Sequence, residues 1–471
     1  MKHKAYLYII PALLTLCAAM ATGCSGVKGL KAPDLDMPAT VVAGSTDSLT
    51  VADVAWWQFY TDSTLCNIIE RTLENNRDLL RAAARIEEMR QLWGVSKANM
   101  LPELSATVGA DYETNDYYKK SYTTDPEYDL KVTLGWELNL WGAMTWAKRQ
   151  GAASYKASVE DWRAMRMTLV AEVASAYFRL IALDNELAIV RRTLITRQEG
   201  VEQARIRFEG GLTSETVYQQ AKVEYASTAS LVPNLERQIA VARNAITLLM
   251  GEYPTDKLNR GYLHLDAAMP QHLPAGLSST LLQRRPDLRA GEQRLAAAMA
   301  NVGLTYADRF PRLRIAVTGG FENDELSGLL QSPFSYTVGS IAGSIFDFGR
   351  KKRKYQASVA AYDQARLAYE QSVLTAFQEV NDAIVTYRRV QETAVLKTNL
   401  RDAARKYVDL AHLQYRSGTL NYIDVLDAQR RYFEAQIGVS NAVRDEYLAL
   451  VNLYKALGGG WRVKTSDSQT K

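Results

Sequence analysis

The chain repeats itself, and that repeat constrains the fold more than any other feature of the sequence. NNRDLLRAAARIEEMRQLWGVSKANMLPEL (Asn75–Leu104) lies without a gap against RRPDLRAGEQRLAAAMANVGLTYADRFPRL (Arg284–Leu313), pairing Asp78 with Asp287, Leu79 with Leu288, Arg85 with Arg294 and Pro102 with Pro311. A second ungapped match sets Trp141-Gly142 on Phe348-Gly349, Tyr155 on Tyr362, Glu172-Val173 on Glu379-Val380, Gly211 on Gly418 and Gly251 on Gly458. The length of 471 residues would by itself suggest two or three unlike domains. The repeat predicts one unit used twice, over 67–251 and 276–458, with a Pro- and Gly-bearing linker at 252–275 and a tail at 459–471.

Both units carry the same order of patterns. An amphipathic helical stretch (Ile68–Asn99; Leu277–Asp308) ends shortly before a proline, as the restriction on the residue preceding proline favours. Strand-like segments follow. In Leu104–Glu113 and Asp129–Leu140 apolar and polar residues alternate, with Leu130, Val132, Leu134, Trp136 and Leu138 on one face. An ordinary half-solvated sheet explains one such strand as well as a membrane strand does. Four on a secreted chain favour membrane crossing. Leu313, Ile315, Val317 and Phe321 alternate well in the second unit, whereas Ser335–Asp347 mixes Gly, Ser and Ile. Long runs without Gly or Pro come next, Ala152–Glu199 and Arg350–Arg416. Apolar residues recur there at heptad spacing (Leu169, Val173, Ala176, Leu180; Val373, Phe377, Val380, Ile384), which predicts packing against like helices in a supercoil.

The amino terminus reads as a secretion signal over 1–23, with Lys2 and Lys4 before an apolar run from Tyr6 to Leu16 too short to span a membrane. MATGC then sets small residues before Cys24, the pattern of a lipoprotein signal whose cleavage leaves that cysteine acylated. Ordinary small-residue cleavage beside an incidental cysteine is the alternative. Residues 24–66 would be anchor and linker. With Cys17 removed and Cys24 acylated only Cys66 remains, so neither a disulfide nor a thiolate metal site is expected. His3, His264, His272 and His412 are dispersed. The net charge of +4 without a basic, aromatic-interleaved stripe argues against nucleic acid. No nucleotide loop or nucleophile motif appears, so no enzyme and no cofactor are expected.

RRPDLR (Arg284–Arg289), ADRFPRL (Ala307–Leu313), SIFDFGR (Ser344–Arg350) and GTLNYIDVLDAQ (Gly418–Gln429) resemble signatures of the TolC-like outer-membrane efflux factors, particularly the lipoprotein branch. The resemblance covers nearly the whole mature chain in order. It implies a mainly α fold with membrane β: as a homotrimer, three sets of four strands form a 12-stranded outer-membrane β-barrel continuous with a long periplasmic α-helical coiled-coil barrel. Four strands cannot close a barrel alone, and an open edge is not tolerated in lipid. The implied partners are outer-membrane lipid, a periplasmic adaptor (membrane-fusion) protein and, through it, an inner-membrane pump. A conduit for type I polypeptide secretion fits the same family, and a pore-free lipid-anchored coiled-coil scaffold is the alternative of another class.

Three groups of residues become candidates. Gly210, Gly211, Leu212 and Thr213, with Ser417, Gly418, Thr419 and Leu420, interrupt the helical patterns at matched places, before cap-type residues Ser214 and Asn421. In the family such tips meet the adaptor. Asp424 and Asp427 share a helix face, and their positions match residues that form periplasmic aperture rings in the family. Val217 and Gln220 replace them in the first unit, so the rings would be threefold. Acids at a helix start are also stabilising through the helix dipole, which is the alternative reading. RKKRK (Arg350–Lys354) reads equally as a lipid-headgroup contact or a solvated helix start.

Overall fold

The structure, a computed structural model, describes residue 27 and residues 29–35, 51–115, 123–265 and 278–462. Cys24, His3, His272, the linker residues 266–277 and the tail from 463 lie outside the described residues. The first repeat, whose opening helix begins four residues before the predicted boundary at 67, comprises α1 (Ser63–Asn75), α2 (Arg77–Ala98), β1 (Glu103–Asn115), β2 (Thr123–Leu138), α3 (Ala143–Glu209) and α4 (Glu215–Leu249). The second contains α5 (Ser278–Arg284), α6 (Pro286–Ala307), β3 (Arg312–Asn323), β4 (Pro333–Ala342), α7 (Arg350–Arg416) and α8 (Tyr422–Ala456). Helices α3 and α7 both have 67 residues, α4 and α8 both 35. Among the described residues no helix is long and apolar enough to cross a membrane.

Sequence periodicity predicts one helix where each repeat has two. The breaks fall at Asn76 and Arg285, which are equivalent positions. Asn76 Oδ1 accepts from the backbone N–H groups of Asp78 and Leu79 and so caps α2. Arg285 precedes Pro286, which pushes it out of the helical region. β2 begins at Thr123 and ends at Leu138, earlier at both ends than the alternation predicts, because Asn139 accepts from Met144 N–H and starts the turn into α3. Likewise β4 stops at Ala342 instead of Asp347, whose carboxylate takes the Gly349 and Lys351 N–H groups at the start of α7. Helix α3 runs through Gly151 and Gly200 to Glu209. A Cβ on Gly151 would lie 3.1 Å from Ser96 Oγ and 3.4 Å from Trp93 Cα, so that glycine permits a close approach of α2.

The chain divides into two compact units. One holds residues up to Leu35, Arg85–Val159 and Ala290–Gln371. Its centre is a four-stranded antiparallel sheet in the order β1-β2-β3-β4. The register puts Leu104 opposite Leu134, Leu134 opposite Val317, Trp136 opposite Ile315 and Leu138 opposite Leu313, all on one face. That apolar face is left exposed: Leu104 is 69% exposed, Val108 78% and Tyr112 74%. Polar Asp129 and Thr318, on the other face, are buried. A water-soluble sheet does the opposite, so this sheet is built for an apolar solvent. β4 departs from the pattern, since Phe334, Tyr336 and Val338 pair with Gly320, Thr318 and Ala316 on the polar face. Below the sheet, Trp136 Nε1 donates to Met100 O and Trp141 Nε1 to Pro311 O. The residues 29–35 lie along α7, where Tyr362 OH donates to Lys31 O and Asp34 N–H to Glu370 Oε1.

The other unit holds Asp36–Ala84, Glu160–Arg289 and Ser372–Lys471. Its core packs Trp56, Leu65, Ile69, Val173, Leu180 and Tyr454, each nearly inaccessible. The heptad positions Leu169, Val173, Leu180 and Val380 are buried as predicted, but α3 buries Val170, Ala174, Tyr177 and Ile181 as well and so is covered on more than one side. Asp62 caps α1 through Thr64 and Leu65 N–H and accepts from the Tyr177 hydroxyl, which in turn accepts from Gly261 N–H. Burial, reinforced by Asp62, pushes the Tyr177 hydroxyl pKa up. The repeat is visible in its contacts. Asn76 Nδ2 donates to Leu249 O at the end of α4, and Arg285 Nη1 donates to the equivalent carbonyl, Ala456 O, at the end of α8. By contrast, Leu374, Leu396, Leu400, Leu410 and Leu413 of α7 are each more than half exposed.

Candidate functional site

Helices α3 and α7 both end in a glycine in the left-handed region, Gly211 at φ 68° and Gly418 at φ 79°. Leu212 N–H donates to Arg207 O and Gly211 N–H to Phe208 O; Thr419 N–H to Gln414 O and Gly418 N–H to Tyr415 O repeat the pattern. These paired bonds satisfy the last carbonyls, and only glycine adopts the required φ without strain. The reversals are therefore rigid and alike in backbone. Their side chains differ: Leu212 is 72% exposed, whereas Leu420 is half-buried against Ala411, Val425 and Ala428. Gly210, Gly211, Ser417, Gly418 and Thr419 are exposed, and Thr213 is half-buried. Ser214 and Asn421 occupy the N-cap positions as predicted, but neither side chain caps. Backbone bonds from Val217 N–H to Ser214 O and from Asp424 N–H to Asn421 O close the first turns instead.

Asp424 and Asp427 lie in the first two turns of α8, both half-buried. Asp427 lines a groove of about 480 Å³ between α4 and α8, together with its repeat counterpart Gln220 and with Gln219, Glu224, Leu426 and Arg430. The structure adds what the sequence reading did not weigh. Arg430 Nη2 lies 2.6 Å and Arg431 Nε 2.7 Å from the Asp427 carboxylate, three and four residues, or about one turn, along the same helix. Hydrogen bonds from Arg431 and Arg430 hold its carboxyl below the usual range, so it keeps its charge to lower pH than an unpaired aspartate. The spacing was available in YIDVLDAQRR; its meaning was not, because equally spaced charges on an exposed helix often point apart.

Arg197 of α3 was not legible at all. Its side chain is only 7% exposed, with Nη1 bonded to the Glu224 carboxylate at 2.7 Å, to Glu224 O and to Thr228 Oγ1. It fixes α4 against α3 just behind the groove. On α7, His412 Nε2 lies 3.0 Å from Gln429 Nε2 of α8, and Tyr415 packs 5.3 Å from Tyr422. Among the described residues no group of His, Cys, Asp and Glu is placed to hold a metal ion.

A family model described as outer membrane efflux protein matches the chain twice, over residues 68–252 and 277–459. The chain belongs to the outer membrane efflux protein family. Similar curated relatives include the probable outer membrane lipoprotein SilC of Salmonella typhimurium, 31% identical over 88% of this chain and 91% of the relative. The antibiotic efflux pump outer membrane protein ArpC of Pseudomonas putida is 31% identical over 97% of this chain and 96% of its own. Among solved structures, the outer-membrane channel OprN superposes with a TM-score of 0.84 at 29% identity, covering 92% of this chain and 99% of that one. This efflux protein thus has the TolC-like fold, resides in the outer membrane and is an outer-membrane efflux channel. The sheet with its apolar face outward is the membrane part of that channel.

Proposed function

We propose that three copies close one 12-stranded barrel and act as the exit duct of a tripartite efflux system, passively conducting solutes delivered by an inner-membrane pump through a periplasmic adaptor, with no catalysis. The observation that carries this reading is the sheet itself, apolar on the exposed face, with β1 and β4 both at open edges. In lipid an unpaired edge is costly in every backbone group, and joining β4 of one copy to β1 of the next removes both edges. The exposed leucines of α7 give the same copies an apolar surface to bury. Acylation at Cys24 anchors each chain, and intact-mass analysis finding an unmodified amino terminus elsewhere would remove that element.

Asp424 and Asp427 set the charge of the periplasmic aperture in this reading, each present three times. Because Arg430 and Arg431 sit beside Asp427, removing the carboxylates should do more than abolish a preference. The Asp424→Ala/Asp427→Ala channel is expected to insert as a trimer, conduct in planar bilayers and shift its reversal potential toward anions. Unchanged selectivity with modest destabilisation would instead mean that the acids merely start a helix. Failure of the unsubstituted protein to conduct would overturn the duct and leave a scaffold. The adaptor meets the Gly211 and Gly418 reversals, so cysteines introduced at Leu212 and Thr419 are expected to crosslink to the adaptor's hairpin. Crosslinking confined to other helix surfaces would relocate the contact.

A further inference from the structure

The strand register assigns every described charge on the polar face of the sheet to one of two ends. At the end where β1 turns into β2 and β3 into β4, that face carries Asp111 and Glu113 of β1, Glu127 and Asp129 of β2 and Glu322 of β3. At the opposite end it carries Glu103, Glu137, Arg312 and Arg314, which balance. Among the described residues of that face, Lys131 is the one cation placed with the first group. Its Nζ lies 3.4 Å from Asp129 Oδ1, 3.6 Å from Glu322 Oε2 and 3.7 Å from Glu127 Oε1. Among the described side chains of that face, one ammonium among five carboxylates leaves an excess of negative charge.

A second observation shows that this is more than a string of surface acids. The Asp129 side chain is only 6% exposed, and its Oδ2 has no hydrogen-bond partner among the described residues. Such an oxygen is uphill in free energy unless a donor or a cation reaches it. The seat is also shaped for the carboxylate. Position 109, opposite Asp129, is glycine, and a Cβ there would stand 2.3 Å from Asp129 Oδ1. Among the described residues no group of His, Cys, Asp and Glu is placed to hold a metal ion, and the Lys131 ammonium stands among these carboxylates.

We infer that the loop-end half of the barrel lumen is a cation filter in its own right, separate from the acids of α8, with the unpartnered oxygen of Asp129 as its seat and Lys131 as its resident counter-charge. The inference rests on the channel reading. Solutes it favours carry amines or other positive charge, and multivalent cations should be held there. Lys131, drawn to three carboxylates, keeps the filter from trapping a single cation permanently, because an arriving cation must compete with it.

The test is the reversal potential of the full-length channel in planar bilayers under a potassium chloride gradient, in an Asp424→Asn/Asp427→Asn background that silences the other acids. Asp111→Asn/Glu127→Gln/Glu322→Gln changes only partly or fully exposed, near-isosteric groups and should leave the barrel intact. It is expected to lower the potassium-to-chloride permeability ratio about threefold and to weaken block by hexaamminecobalt(III) by a similar factor. Lys131→Gln is expected to raise the ratio. Conducting channels whose ratio and block are unchanged in both variants overturn the filter and leave the channel standing. Absence of conductance in every variant, the unsubstituted protein included, overturns both.

Discussion

Leu134→Arg is expected to cost about 2–4 kcal/mol per chain and to deplete the assembled channel from the outer membrane. Leu134 sits mid-strand in β2, 45% exposed, between Leu104 of β1 and Val317 of β3 on the apolar face. In lipid that exposure becomes burial in hydrocarbon, where a guanidinium loses its hydration and gains no partner. The penalty recurs in every copy of an oligomer. Ser105→Arg is the control: Ser105 belongs to the same strand pair, but faces the polar side, opposite Thr133. It should assemble normally. Trimer yield on semi-native gels and membrane fractionation report the result; equal assembly of the two variants would refute the assignment of faces, and loss confined to Ser105→Arg would invert it.

Arg285→Ala is expected to destabilise the second unit by about 2–3 kcal/mol. Its guanidinium is 7% exposed and is held by Asp287 at 2.6 Å, by Glu379 at 2.7 Å and by the Ala456 carbonyl at 3.3 Å. One side chain thereby joins the start of α6, the middle of α7 and the end of α8. The partner carboxylates are 39% and 50% exposed and recover water when the arginine is lost, which keeps the cost below that of orphaning a fully buried charge. Asn76→Ala, at the equivalent position, removes one carbonyl bond and a cap and should cost about 1 kcal/mol. Thermal unfolding and limited proteolysis should order the variants accordingly. A larger loss from Asn76→Ala would mean that the ion pairs contribute little.

Much of this was legible because a repeat is a comparison of the chain with itself. Helix α7 falls at Arg350–Arg416, where the absence of Gly and Pro predicts it. The two faces of β1, β2 and β3 follow from period-two alternation, since membrane strands cannot relax that pattern. β4 was less readable: its apolar residues Phe334, Tyr336 and Val338 lie on the polar face, and no local rule says which face an apolar residue of an edge strand takes. The breaks at Asn76 and Arg285 were missed although Pro286 announced one of them. The candidate site was located by resemblance, but its electrostatics was not, because pairing of Asp427 with Arg430 and Arg431, or burial of Arg197, depends on rotamers and neighbours that spacing alone does not fix.

The equal lengths of α4 and α8 bear on how such a chain can evolve. Both helices run 35 residues, from a glycine reversal to a carbonyl held by Asn76 or Arg285. An insertion of one residue in either would turn everything beyond it by about 100° and advance it by about 1.5 Å, carrying the carbonyl away from its donor. Seven residues nearly restore the facing. Length variants of this fold should therefore come in sevens, and in both halves together, since neither helix is free to change in size without the other.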